Sequence, residues 1–551
     1  MRVPTELALV ERRAQRINNP LGWMPSPRSA PPALSVLSVL SVLSILSATP
    51  SAAQSTWSPA DRAVIGSFTH ITAVAVAPDR VYLTSPSALL TWDPQLRRWD
   101  GPFVPPDPHM LDQVFCGLVD PLDNSLWLAR ADGWVHFTPQ GGRWGAGMVP
   151  AAVLDIAFDF SAPDKGLFLQ SPDGWRVVGR KGTAFKMSDP PARPLSPLSV
   201  DEVLRTLPRL TPPPGGTDGA PPEWRVTSVA QAFGGHGWYL GTKGRGLLYL
   251  AEGAARPEEL RFGLPEDDAR GVVEAPGGVW VNIESSYASE PQFAYVSSDL
   301  TEFRWVSPPV RGVPSLGTVY GMATRGPELW AATDMGLVQW DPDQNTAQLY
   351  GAVLGLPNTR VMAVATSDRI VAIGTAGGMA RVAGTVLELL TPGSKDSVTA
   401  VEVKGDTIWV GTDHGLFVAL PIEPYLLQPK ALEGPEYQGV VRALAWNGAS
   451  LVGLTDDHLF WRAPNGRSWA VGPSLSNRLG SLRAMVPYGN GFFIAGDKGL
   501  GYARQDSVPR RIFPAPADIP GQVRQMAVTD DYLWMATSEG LIRWRLDLVA
   551  P

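Results

Sequence analysis

Apolar residues alternate with small or polar ones in eleven short segments: "ITAVAV" (71), "VFCGLV" (114), "VLDIAF" (153), "VTSVAQ" (226), "RGVVEA" (270), "TVYGMA" (318), "RVMAVA" (360), "VTAVEV" (398), "VRALAW" (441), "LRAMVP" (482) and "VRQMAV" (523). A period of two is the signature of a pleated strand. Behind each segment comes a second phrase, clearest in "LWAATDMGLVQW" (329), "IWVGTDHGLF" (408), "FFIAGDKGLGYA" (492) and "LWMATSEGLIRW" (533). Weaker copies start at Tyr82, Trp127, Phe168, Ala372 and Val452, and copies with longer turns at 238 and 279. Most successive units start about forty residues apart, a period that marks a repeat architecture. Each unit predicts strand, short turn, strand, turn, strand, then a variable fourth strand.

The wording follows from turn chemistry. Glycine reaches the positive φ that a tight hairpin requires. Thr and β-branched residues before it suit a strand, and Asp, Asn or Ser at the tip can bond the local backbone. The small residue at the third position lets sheets approach, and tryptophan, of which the chain has twenty, fills a sheet-on-sheet interface. Four-stranded sheets at this spacing are the blades of a β-propeller, and the fold class is all-β. About eleven blades make either two propellers, nested or separate, or one large ring. Residues 54–187 hold the closing strand and blades 1–3, residues 188–224 form a Pro- and Gly-rich linker or lid with one short helix at "VDEVLRTL", and residues 225–551 hold blades 4–11. The last unit lacks an outer strand, and "STWSPADRAVIGSF" (55–68) is expected to supply it.

The phrase "IWVGTDHGLF", together with the Gly-Leu-Pro junctions "GLPNTRVMAVA" (355–365) and "GLPEDDARGVVEA" (263–275), resembles the two-component regulator propeller repeat. The resemblance covers most of the chain after residue 53. It implies a sensor-like propeller on the outer side of a membrane. Members of that family often carry an Ig-like module, a membrane helix and a kinase behind the propeller. This chain stops after a third strand with none of these, so it reads as a stand-alone member that signals, if it does, through a separate membrane partner.

The chain of 551 residues is 44% hydrophobic and 18% charged, with a formal charge of −7. That balance leaves no basic footprint for nucleic acid. The apolar run "LSVLSVLSVLSILSA" (34–48) follows Arg28 and precedes Ser51 and Ala53, small residues suited to cleavage after Ala53. It is shorter than the roughly 20 residues a membrane span needs and reads as a signal peptide. Residues 1–53 are assigned to it, with Met24 as a conventional start. Cleavage removes five Arg and two Glu, leaving a more acidic protein, periplasmic or extracellular and without a membrane span. The single cysteine, Cys116, excludes an intramolecular disulfide and reads as a buried, inert thiol.

In a propeller the turn between second and third strands shares a face with the links between blades, where ligands usually touch. The candidate ligand-binding residues are therefore the tips Lys243, Arg245, Glu284, Tyr287, Asp334, Asp413, His414, Asp456, Asp497 and Lys498. Asp132, Asp173, Asp457 and Glu539 occupy similar tips. For any single Asp, Asp-x-Gly is turn chemistry first; Lys243, Arg245, Tyr287, His414 and Lys498 are not demanded by the turn. No histidine pair has metal-ligand spacing, and the sequence calls for no cofactor, no metal and no catalytic residues. It reads as an exported, non-enzymatic protein that recognises a carbohydrate, peptide or protein. The alternative is a propeller hydrolase or lyase acting on an extracytoplasmic polysaccharide through funnel carboxylates.

Overall fold

The clearest repeats close their second hairpin through one threonine. In the hairpin of Thr333–Gly336 the buried Thr333 hydroxyl donates to the Gly336 carbonyl (2.8 Å) and accepts from the Met335 N–H (3.1 Å). Thr375, Thr412 and Thr537 do the same with Gly378, Gly415 and Gly540. The threonine thus does more than favour a strand: its hydroxyl bonds two backbone groups of the turn at once. On blade 9 His458 stands in the glycine's place, its carbonyl accepting from the Thr455 hydroxyl (2.9 Å), but where the glycine is present it is held by its backbone. Gly499 sits at φ +142° with the Phe513 carbonyl oxygen 2.1 Å from where a Cβ would stand. Gly499→Ala should therefore lower stability by about 1–3 kcal/mol, the cost of strained backbone, read as a drop in the denaturant midpoint.

The computed structural model describes residues 58–550 except 59, 108, 181–184, 208–224, 285–291, 307–312, 314–315, 357, 384–385, 390–396, 420–426, 431–439, 449 and 463–468. The signal-peptide segment 1–53 lies outside the described residues. The strands form eleven antiparallel sheets, ten of four strands and one of five. They are the blades of a multi-blade propeller, numbered here 1 (73–103), 2 (114–148), 3 (155–195), 4 (225–260), 5 (269–306), 6 (319–350), 7 (361–389), 8 (398–430), 9 (443–471), 10 (482–514) and 11 (523–545). Blade 11 takes its fourth strand from Arg62–Ile65, which pairs antiparallel with Leu541–Trp544. Arg545 adds an ion pair to Asp61 (3.1 Å).

Packing between inner strands sorts the blades into two groups. Blades 5 to 11 follow one another in a closed circuit, because the inner strand Ala269–Ala275 of blade 5 lies against both Val319–Arg325 of blade 6 and Val523–Val528 of blade 11. Blades 4, 1, 2 and 3 stand in a row in that order. Blade 4, although it follows residues 188–224 in the chain, packs on blade 1. Helix Val200–Thr206 buries Val203 on the other face of blade 4, against Val229, Leu240 and Leu248.

Neighbouring blades meet because one side of each interface is small. A Cβ on Gly411 of blade 8 would stand 2.6 Å from Val441 Cγ1, and the corresponding Ala332, Ala495 and Ala536 are fully buried. Tryptophans two positions earlier share that face: Trp127, Trp330 and Trp534 are at most 1% exposed and pack in the same clusters as Ala129, Ala332 and Ala536. Ring and row share one core, in which Phe262 contacts Phe68 (5.3 Å between centroids), Trp99 (5.5 Å) and Phe303 (4.6 Å). The chain leaves the ring at 66–70 and returns at 261–267, where Leu264 N–H donates to the Gly66 carbonyl (3.0 Å).

Candidate functional site

The second residue of each inner strand carries the site. In six of the seven ring blades, or in the turn leading into the strand on blade 9, this position departs from regular pairing. The ladder slips between Ala269 and Gly271, Val319 and Gly321, Val361 and Ala363, Val398 and Ala400, Leu482 and Ala484, and Val523 and Gln525. A β-bulge re-aims the extra side chain. The residues so placed are Arg270, Tyr320, Met362, Thr399, Arg483 and Arg524, and on blade 9 Arg442 stands just before the strand. Four are arginines, and they sit on consecutive blades: 9, 10, 11 and 5.

Each arginine meets an acid. Arg442 bonds Asp456 (2.8 Å), Arg483 bonds Asp497 (2.5 Å) and Arg270 bonds Glu284, in every case the tip residue of the same blade, fourteen positions further on. On blade 6 the same tip position holds Asp334, whose Oδ1 accepts from the Thr318 N–H (3.1 Å), and Gly317 leaves room for it. Blade 11 has Ser538 at its tip, bonded to the Gln522 N–H (2.9 Å), so Arg524 reaches to Asp268 of blade 5 (2.9 Å). Asp268 also holds Arg270 (3.1 Å) and ties blade 11 to blade 5. Burial lowers the pKa of Arg524 from the ordinary arginine range, against the pull of Asp268. With its side-chain amide turned so that the oxygen faces blade 10, Gln522 accepts from Arg483 Nη2 (2.8 Å).

These groups line a cavity of 780 Å³ at the mouth of the ring, with Arg270, Asn282 and Glu284 from blade 5, Tyr320 and Asp334 from blade 6, Arg442 and Asp456 from blade 9, Arg483 from blade 10 and Arg524 from blade 11. The size suits a small ligand. Asn282 is 3% exposed; its Nδ2 donates to the Val319 carbonyl (3.3 Å), and its Oδ1 has no partner.

Of the residues proposed from sequence, the mouth brings together Glu284, Asp334 and Asp456, with Asp497 behind Arg483. Asp413 and His414 pair with each other on blade 8 (2.9 Å), outside the cavity lining. Lys498 turns away to the Asn477 carbonyl (3.2 Å). Lys243 and Arg245 belong to blade 4 of the row, where Arg245 pairs with Glu259 (2.7 Å). Tyr287 lies outside the described residues. Asp132 and Asp173 pair with Arg130 and Arg176 of their own hairpins. The arginines escaped sequence reasoning. Their signal was present as an Arg after the first apolar residue at the start of an inner strand, with an acid fourteen positions later in three of the four, Ser538 taking that place after Arg524. Cys116 is partly buried, and desolvation pushes its thiol up, out of reach of neutral pH. Among the described residues no cluster of His, Cys, Asp and Glu could hold a metal, and no helix is long and apolar enough to cross a membrane.

One carboxyl group away from the mouth is electrostatically exposed to pH. Glu402, on the inner strand of blade 8 opposite Trp409, is pushed up to about 7 by burial. A carboxyl whose folded pKa is raised gives stability that is complete below pH 4.5 and is lost as pH rises through 7. Glu402→Gln should change little at pH 4 and stabilise the protein by about 2–4 kcal/mol at pH 8, measured by chemical denaturation at both.

No family model matches the chain, and no curated protein matches it. Among solved structures it is similar to the extracellular domain of the hybrid two-component system protein BT4673 of B. thetaiotaomicron, at 11% identity and a TM-score of 0.39 over 87% of this chain and 70% of that one. It is similar to the computationally designed protein Ika8, at 14% identity and a TM-score of 0.40 over 59% of this chain and 96% of that one. A third is PorZ of Porphyromonas gingivalis, a bacterial surface component of the type-IX secretion system, at 12% identity and a TM-score of 0.32 over 88% of this chain and 87% of that one. The regulator-propeller resemblance stands on the wording of the repeats themselves.

Proposed function

We propose that this chain is an exported recognition protein that holds an extracytoplasmic carbohydrate, peptide or protein at the mouth of its seven-blade ring without turning it over. The observation that carries the reading is the arc of four arginines on consecutive blades, each with a carboxylate partner, around one cavity. Paired guanidinium and carboxylate groups are pre-positioned hydrogen-bonding edges, and a site of this kind recognises by directional bonds. Binding is favoured over catalysis because the mouth carboxylates are committed: Glu284 to Arg270, Asp456 to Arg442, Asp497 to Arg483 and Asp334 to a backbone N–H. A general acid or base needs a carboxyl free to trade a proton with substrate. Export rests on the signal-like segment before residue 54.

The test is a thermal-shift screen of the purified protein against oligosaccharides and short peptides, with product analysis of each mixture. A ligand bound only by the folded state raises Tm by mass action. The expected result is a shift that Arg483→Ala abolishes, with the ligand recovered intact. Accumulating product would make the protein an enzyme, and a shift that survives Arg483→Ala would move the site away from the mouth.

A further inference from the structure

The mouth is built for hydroxyl groups more than for charge. Its four arginines face five carboxylates, Asp268, Glu284, Asp334, Asp456 and Asp497, so it presents no net positive field to attract an anion. Each guanidinium keeps donors beyond those given to its acid, because Arg442 uses Nε and Nη2 on Asp456 and Arg524 bonds Asp268 through Nη2 alone. The carboxylates keep lone pairs in turn. A hydroxyl group donates and accepts at once, and it matches such a mixed edge where a carboxylate or an ammonium group would meet a like charge.

Two further observations point the same way. Asn282 leaves a buried acceptor, Oδ1, unpartnered in the cavity wall, and a hydroxyl group is a donor that would satisfy it. At the end of the arginine arc, on blade 6, the equivalent strand position holds Tyr320, 39% exposed and part of the lining. An aromatic ring offers an apolar platform with a polar rim. The other apolar lining residues, Val319, Leu482 and Val523, are buried to 7% exposure or less, so no pocket for an apolar side chain of a peptide opens between them.

We infer that the mouth of the seven-blade ring takes a neutral oligosaccharide, one sugar ring lying on Tyr320 and its hydroxyls bridging the arginine–carboxylate pairs of blades 5, 9, 10 and 11. The inference rests on the recognition reading above and narrows it.

Titration calorimetry of the purified protein would use maltotriose, cellotriose, xylotriose and mannotriose as neutral probes, with trigalacturonate as the anionic counterpart and trialanine as a peptide. At least one neutral trisaccharide should bind saturably, with an affinity that changes less than about twofold between 50 and 500 mM salt, since a neutral ligand has no charge to screen. Tyr320→Ala and Arg483→Ala, both on exposed side chains, should each weaken it at least tenfold, while Lys243→Ala on the row leaves it unchanged. Binding of trigalacturonate alone, falling steeply with salt, would overturn the inference, as would silence with all four neutral sugars. Trialanine binding that Arg483→Ala abolishes would overturn the sugar while leaving the recognition reading intact.

Discussion

Ile65→Asp should prevent the ring from closing. Ile65 is fully buried, the last residue of the strand Arg62–Ile65, paired with Leu541 and packed in the core that ring and row share. Removing the side chain forfeits about 1.5–3 kcal/mol of burial. Placing a carboxylate there costs several kcal/mol more, because the site offers no cation to pair it. A loss of roughly 5 kcal/mol or more approaches the whole stability of an ordinary domain. The consequence is also topological, since an unpaired outer edge on blade 11 is a template for association. The variant should show a lowered, broadened melting transition and elute as oligomers on size exclusion. Arg62→Ala on the same strand keeps the apolar anchor and should stay monodisperse. A variant Ile65→Asp with the parent Tm would mean that Arg62–Ile65 does not hold the ring shut.

Trp534→Ala should be the most damaging of the tryptophan truncations. The side chain is fully buried between blade 11 and the shared core, and its indole N–H donates to the Thr529 hydroxyl (3.1 Å). Cavity formation at such a position costs about 3–5 kcal/mol, and the hydroxyl of Thr529 loses its donor as well. Trp446 provides the contrast: it sits on blade 9 only partly buried, with its indole N–H unpartnered and Lys404 Nζ 3.9 Å from the ring centre. Trp446→Ala should cost markedly less. The two variants can be ranked by their denaturant midpoints, and equal losses would show that blade interfaces do not depend on how completely the ring is enclosed.

The blade interior was legible because each of its rules is local. Alternation, the Thr-x-x-Gly hairpin and the small residue after the tryptophan act within a dozen residues, and eleven copies reinforce one another. The mouth was half legible. Glu284, Asp334, Asp456 and Asp497 were found as turn tips, but their meaning was not, since a tip acid reads as turn chemistry until its arginine is seen. The arginines at 270, 442, 483 and 524 sit inside apolar phrases such as "LRAMVP" and "VRQMAV", where alternation assigns them to an ordinary solvent face. The bulge that turns Arg270, Arg483 and Arg524 to the mouth is a slip in pairing register, and no residue type announces it. The turn positions Lys243, Arg245, Asp413, His414 and Lys498 follow the same local pattern yet fall away from the cavity.

By itself, then, the sequence determined an all-β chain of repeated four-stranded blades, the residues that close each hairpin and the faces that pack, because these depend on short-range sterics and burial. Only the tertiary structure decided which blades neighbour one another. Blades 5 to 11 close on themselves while blades 4, 1, 2 and 3 form a row, and blade 4 joins blade 1 across more than a hundred residues of chain. It also decided which tips converge. Many blades repeat the same face, a large residue followed two positions later by a small one, so the repeat makes the interfaces alike, and the choice among them rests on long-range contacts such as Phe262 with Phe68, Trp99 and Phe303.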